Sequence, residues 1–321
     1  MEFRAGAQIF TGEREMIIIE MNGGLGNQLQ QYALYEKFKS LQKEVKLDIS
    51  WYETDSVEET KNQAVTRRKL ELDYFPGVSY EVCTKEEKQG LLGSNSFFSR
   101  AMRRLGWTEV VRYVEHQMYD ENIFALDNKV LSGYWACEAY YRDILQTLKK
   151  RLTFPSSGNP RNEAMKKRMK ESNSVSIHLR RGDYLTEENR KMFGGICTDA
   201  YYESALKYIR EREDKIQFFI FSDDSEDADK YFSLFLEKGY TIVDCNHGED
   251  SFYDIELMSC CKHNICANST FSFWGARLNH NPGRIAIRPL KQKNGVNWYQ
   301  PETMKKLWEN WIFIDEKGSV Q

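Results

Sequence analysis

The stretch Ser176-Ile177-His178-Leu179-Arg180-Arg181-Gly182-Asp183-Tyr184 opens as an apolar strand and ends in concentrated charge. Ser172-Asn173-Ser174-Val175, just before it, breaks a basic helical run over Arg161 to Lys170. Two adjacent arginines at a strand mouth are costly near a core unless an anion meets them. The guanidinium fork suits phosphate oxygens and keeps its charge near neutral pH. The plainer alternative is an Arg–Asp pair that closes a strand end.

Downstream, helices and strands alternate: helix 199–212, strand 216–221, helix 225–238, strand 240–243, helix 251–261, strand 264–267, a helix from about Ser272, and a last strand 284–288. Such βα alternation implies a parallel sheet covered by helices. Upstream, Phe154-Pro155-Ser156-Ser157-Gly158-Asn159-Pro160 has linker composition and divides the chain. Before it, strand Met16–Met21, the turn Asn22-Gly23-Gly24-Leu25-Gly26-Asn27-Gln28, a helix to Gln42 and strand Val45–Ile49 form a βαβ unit. Arg67–Leu72 reads as an edge strand, Phe97–Leu105 as a basic amphipathic helix, and Val110–Val114 and Lys129–Trp135 as strands; Glu138–Leu152 reads as a helix.

Glycines at a strand–helix turn let backbone N–H groups approach a ligand. Gly24 and Gly26, with Asp48 at the end of the next strand, partly match a dinucleotide fingerprint. Leu29 stands where the third glycine belongs. A nicotinamide-dependent oxidoreductase is thus one alternative. A non-catalytic glycan-binding protein using Tyr134, Trp135 and Trp274 is another.

The 321 residues suffice for two domains, and 45 basic against 48 acidic side chains give a net charge of −3. That balance gives no general attraction to nucleic acid, so anion binding must be local. Seven cysteines without a secretory signal speak for a reducing compartment rather than a disulfide scaffold. No apolar run approaches the roughly 18 residues of a membrane span. Met1–Glu15 reads as an appendage.

Asp223 and Asp224 can hold a divalent metal or cap the following helix, and capping is the simpler role. Cys245, His247, Cys260, Cys261, His263 and Cys266 match no closed zinc spacing. In Asn268-Ser269-Thr270-Phe271-Ser272 a strand gives way to a helix, where hydroxyls and free N–H groups make a phosphate cradle or a simple N-cap.

Gly23-Gly24-Leu25-Gly26-Asn27-Gln28, His178–Tyr184 and Asn268-Ser269-Thr270-Phe271-Ser272-Phe273-Trp274 together resemble the bacterial α-1,2-fucosyltransferases, glycosyltransferase family 11. Gly133-Tyr134-Trp135 and Leu257–His263 fit the same family. The resemblance implies an α/β GT-B fold: two Rossmann-like domains facing across a cleft. They would span 16–154 on the acceptor side and 161–305 around the donor, with 306–321 a C-terminal tail. It implies inverting, metal-independent transfer of fucose from GDP-β-L-fucose to the 2-hydroxyl of a terminal galactoside in a glycan or lipid-linked acceptor. GDP-fucose would be substrate, with no cofactor and no nucleic acid partner. The protein would be cytoplasmic, with room for peripheral contact at the inner membrane face.

Carried over by residue, Arg180 would meet the donor diphosphate, His178 the nucleoside and Asp254 the guanine. Asn268, Ser269 and Thr270 would cradle phosphate. Gly24, Gly26 and Asn27 would face the donor from the N-terminal loop, with Arg181 and Asp183 shaping the motif. The acceptor's base would be Asp183 or Glu188, or water alone. Gln30 departs from the Phe common in relatives and is placed near the cleft.

Overall fold

The β-branched run Ile17-Ile18-Ile19 forms the centre of the first sheet, with both faces covered. In the computed structural model, which describes residues 15–53, 68–92, 111–180, 187–236 and 239–321 and leaves out the Glu188 side chain, that sheet contains β1 (Met16–Glu20), β2 (Glu44–Asp48), β3 (Arg112–Val114) and β4 (Lys129–Ser132). The order is β2-β1-β4-β3, all parallel. The second sheet holds β5 (Asn173–Leu179), β6 (Ile216–Ser222), β7 (Tyr240–Val243), β8 (His263–Ile265), β9 (Ala286–Pro289) and β10 (Trp311–Ile314). Its order is β10-β9-β8-β5-β6-β7, again all parallel. Two parallel α/β halves of this kind are the GT-B architecture.

The α-helices are α1 (Leu25–Ser40), α2 (Ser50–Glu53), α3 (Lys85–Leu92), α4 (Leu145–Arg151), α5 (Pro160–Glu171), α6 (Glu187–Phe193), α7 (Asp199–Arg210), α8 (Ser225–Phe232), α9 (Tyr253–Cys260), α10 (Thr270–Leu278) and α11 (Pro301–Leu307). Among the described residues no helix is long and apolar enough to cross a membrane.

Several sequence expectations are corrected. The first helix begins at Leu25, so Gly26 and Asn27 belong to its first turn, and Leu41 lies exposed beyond its end. Among the described residues, 68–71 form no strand, and a 3-10 turn follows at Leu72–Tyr74. The expected helix over 138–152 is two 3-10 turns, Glu138–Tyr140 and Arg142–Ile144, before α4. The basic helix expected at Phe97–Leu105 lies outside the described residues. Residues 306–321 are not an appended tail: β10 pairs with β9 at the sheet edge, and Trp308, Trp311 and Phe313 are buried.

The halves share one apolar core. Tyr32, Phe38 and Trp135 of the first pack in the same cluster as Phe273, Trp274 and Trp308 of the second. A fully buried ion pair crosses between them, from Arg277 Nε to Glu138 Oε2 at 3.1 Å, and Trp311 Nε1 donates to the same oxygen at 3.2 Å. Such a pair fixes geometry, because breaking it would leave a charge buried without its partner.

The tightest crossing joins α1 to the head of α10. A Cβ on Gly26 would stand 2.6 Å from the Phe271 backbone nitrogen and the Thr270 carbonyl carbon. Trp274 Nε1 donates to Gly26 O at 3.1 Å, and Thr270 Oγ1 to Asn27 Oδ1 at 3.0 Å. Backbone cannot yield like a side-chain tip, so a methyl here must separate the helices. Gly26→Ala should therefore lower the melting temperature by several degrees, equivalent to about 1–3 kcal/mol of overpacking. An unchanged calorimetric transition would contradict that contact.

Candidate functional site

Ligands of parallel sheets sit beyond the carboxyl ends of the strands. Here the segments leaving β1 and β8 lead to α1 and α10, whose heads meet. On the first side, Gly23 takes φ +83°, a left-handed conformation that favours glycine. Tyr52 donates its hydroxyl to Gly23 O at 2.9 Å. Gln28 Nε2 donates to Gly23 O at 3.2 Å and Lys69 O at 2.8 Å, while its oxygen accepts from Glu71 N at 2.8 Å. Gln31 accepts from Asn22 N at 3.1 Å and donates to Gly133 O at 3.0 Å. Two buried glutamines thus fasten the glycine turn to its neighbours.

The head of α1 is already occupied. The Glu71 carboxylate lies close enough to feel the Leu25 amide, and Arg68 stands beside Gly24. Burial raises the Glu71 pKa, against the lowering effect of Arg68 and that amide. The anion-binding positions of this helix end are served by the protein's own carboxylate. Asp48 is engaged as well, by Lys88 and by Ser50 N at 3.1 Å. Neither of the dinucleotide fingerprint's contacts is therefore free, which corrects that alternative.

The second side differs. His178 lies near the end of β5, 96% buried, with its ring centroid 6.1 Å from that of Phe271. Burial first, then Arg180, pushes its pKa down to about 3, so the ring is neutral at any ordinary pH. Among the described residues its Nδ1 has no hydrogen-bond partner. Arg180 follows β5, with Nε 3.7 Å from Asp223 Oδ2 of the segment after β6. That distance is a loose ion pair. β8 runs beside β5 and leads into α10, whose N-cap Ser269 makes no side-chain cap. Its first amides are thus not closed by their own side chain.

Asp254 lies in the first turn of α9, half-buried. Asn162 Nδ2 donates to Asn246 Oδ1, and Asn246 Nδ2 to Asp254 Oδ1, each at 2.8 Å. Burial raises the Asp254 pKa from 3.8 to about 7 despite the Asn246 bond. Among the described residues its second oxygen accepts no hydrogen bond.

The structure therefore brings Gly26 and Asn27 against Thr270, with Gly24 and Ser269 next to them in the chain, and sets His178, Arg180 and Asp254 on the same edge of the second sheet. Asn268 is different. Its Nδ2 donates to Phe193 O at 3.1 Å and Gln292 O at 3.2 Å, and its oxygen accepts from Cys197 Sγ at 3.4 Å. It is a buried brace for two loops, not a free phosphate donor. Arg181 and Asp183 lie outside the described residues, as does the side chain of Glu188.

Asp224 caps α8 by accepting from Asp227 N at 2.9 Å, and Asp223 faces Arg180. Trp135 and Trp274 are fully buried, so the glycan-platform alternative fails; only Tyr134 of its three aromatics is exposed. Gln30 lies inside the protein rather than at the cleft, and neither end of its amide is bonded. Among the described residues no three His, Cys, Asp or Glu side chains could share a metal ion. Sequence reading missed Arg68, Glu71 and Glu115. A charged Arg–Glu spacing ahead of a turn was the only signal for the first two.

A family model described as Glycosyl transferase family 11 matches residues 112–315. Among similar proteins, the O-antigen biosynthesis glycosyltransferase WbnK of Escherichia coli is 30% identical, covering 91% of this chain and 98% of that protein. An alpha-1,2-colitosyltransferase of Escherichia coli is 28% identical, covering 94% and 99%. The solved structure of Arabidopsis thaliana FUT1 with GDP is 14% identical with a TM-score of 0.49, over 91% of this chain and 73% of that one. NodZ alpha-1,6-fucosyltransferase soaked with GDP-fucose gives 14% and 0.45, over 84% and 97%. With two parallel halves meeting at the glycine turn and the Ser269–Thr270 helix head, this chain belongs to glycosyltransferase family 11.

Proposed function

We propose that the protein transfers L-fucose from GDP-β-L-fucose to the 2-hydroxyl of a terminal galactoside, inverting the anomeric centre and using no metal. The observation that carries this reading is the asymmetry between the helix heads. At one, the buried Glu71 carboxylate stands by the Leu25 amide; at the other, Ser269 makes no side-chain cap, and the strand that leads to Arg180 runs beside β8. As the C1–O bond to phosphate breaks, its electron pair goes onto the β-phosphate while the sugar becomes oxocarbenium-like. Arg180 and the α10 amides would meet that growing charge already in place, which is worth more than groups that must reorganise. His178, held neutral, would contact the nucleoside without adding charge. Asp254 offers one oxygen fixed by Asn246 and one open, suited to two N–H groups of guanine.

A colitosyl donor is the second reading, favoured by the colitosyltransferase among the relatives. The direct test incubates the protein with GDP-fucose and a panel of β-galactosides, with and without EDTA. An α-1,2-fucosylated product formed equally in EDTA is expected. Arg180→Ala should lower turnover by about 10²-fold, the cost of one preorganised donor. EDTA inhibition reversed by Mg²⁺, or normal turnover in that variant, would refute the respective claims.

Guanine recognition requires ionised Asp254. With its pKa raised to about 7, GDP affinity should weaken as pH falls from 8 to 6, and binding should release a proton. Folding of the empty protein runs the opposite way: the native state holds a proton that the unfolded chain loses near 3.8, so stability falls as pH rises through 4–7. Titration calorimetry of wild type and Asp254→Asn separates this from ionisation of the phosphate. A pH dependence identical in both proteins would rule out the carboxylate.

A further inference from the structure

Transfer to a hydroxyl needs somewhere for the proton to go, and the carboxylates on the first sheet's open edge can be compared one by one. Glu20 and Asp48 are paired with Lys88. Asp120 caps a 3-10 turn through Asn122 N and accepts from the Tyr113 hydroxyl at 2.6 Å. Glu138 is spent on Arg277 and Trp311. Glu71 closes α1 beside Arg68. Glu53 and Glu121 are exposed to solvent, and Glu115 is the remaining sheltered case among these.

Glu115 directly follows β3, and its amide continues the ladder by donating to Ser132 O at 2.9 Å. Its Oε2 accepts from Tyr134 N at 2.8 Å and Trp135 N at 3.3 Å. Those amides belong to a turn in which Trp135 takes φ +53°. A Cβ on Gly133 would stand 2.5 Å from the Glu115 Cβ, so the approach requires glycine there. Among the described residues, Oε1 accepts no hydrogen bond and no cation lies within 4 Å of the carboxylate. One oxygen is locked and the other is open, a preorganised base geometry.

Position agrees with this. The charge of Lys293, from the segment after β9, reaches Glu115 across the two halves, and Tyr299 of the same segment is near. Gln292 of that segment is held by Asn268, the residue before Ser269. Gln31 ties Gly133 to α1, whose head meets α10. Glu115 is thus linked to both helix heads. Exposed Tyr134 stands beside it, a ring suited to a sugar face. Tyr113 and Tyr140 are the other titratable groups within its influence. Burial raises the Glu115 pKa, against the two amides and Lys293, which strengthens it as a base.

We propose that Glu115 binds the acceptor hydroxyl through Oε1 and removes its proton, with Tyr134 bordering the acceptor sugar. In the step, the acceptor O–H bond breaks and its proton passes to Oε1. The acceptor oxygen bonds to C1 of the donor sugar, and the C1–O bond releases its electron pair to the leaving nucleotide. This rests on the transfer reaction proposed above.

The test is Glu115→Gln, whose carbonyl can still accept from Tyr134 and Trp135 while the base is gone. The expected result is a fall in kcat of about 10²-fold, with GDP affinity and melting temperature unchanged and the acid limb of the kcat pH profile lost. Turnover within twofold of wild type overturns the proposal. So does a fall accompanied by weakened GDP binding or early melting, which would mark Glu115 as a structural staple. Wild-type protein that turns over no donor would instead sink the transfer reading and this inference with it.

Discussion

The absence of a side chain at Gly26 lets α1 touch the backbone of α10, and most of the site follows from that contact. With no Cβ between them, the Gly26 carbonyl reaches the indole of Trp274, and Asn27 reaches Thr270. Both helices then present their first turns to one space. The buried Arg277–Glu138 pair and the shared aromatic core hold the same crossing from behind. Protein interiors transmit such contacts stiffly, so the spacing between the halves is set within the site itself.

Charge divides unevenly across this junction. A helix start attracts anions, and the protein satisfies that attraction at α1 with Glu71. At α10 it does not, since Ser269 provides no cap, and Arg180 follows the neighbouring strand with its Nε 3.7 Å from Asp223. In the proposed reading the nucleotide belongs to the second half, and the first half, with Glu115 and exposed Tyr134, receives the acceptor. His178 stays uncharged through burial and leaves the positive potential to Arg180.

Both parallel sheets were legible in the sequence because their strands are short apolar runs separated by amphipathic helices. The pattern Leu70-Glu71-Leu72 mimics strand alternation, yet its backbone answers Gln28, a side chain far away in sequence, and no ladder forms. The segment 138–152 has helical spacing, but Glu138 must reach Arg277 while Tyr140 and Tyr141 turn inward, and 3-10 turns allow that. The strand at 311–314 was overlooked because a short apolar run at a chain end looks like an appendage until it pairs with β9. Within the site, motif residues could be named in advance. Glu71 and Glu115 could not, because a lone glutamate gains its meaning from sheet order and from glycines elsewhere that let it approach.

The most direct measurement is a crystal structure of the protein soaked with GDP. The diphosphate should lie between the Arg180 guanidinium and the first amides of α10, with the guanine edge toward Asp254 and Glu71 still at the head of α1. A nucleotide seated instead at the head of α1, with Glu71 displaced and Arg68 on the phosphates, would contradict the division of roles between the two halves.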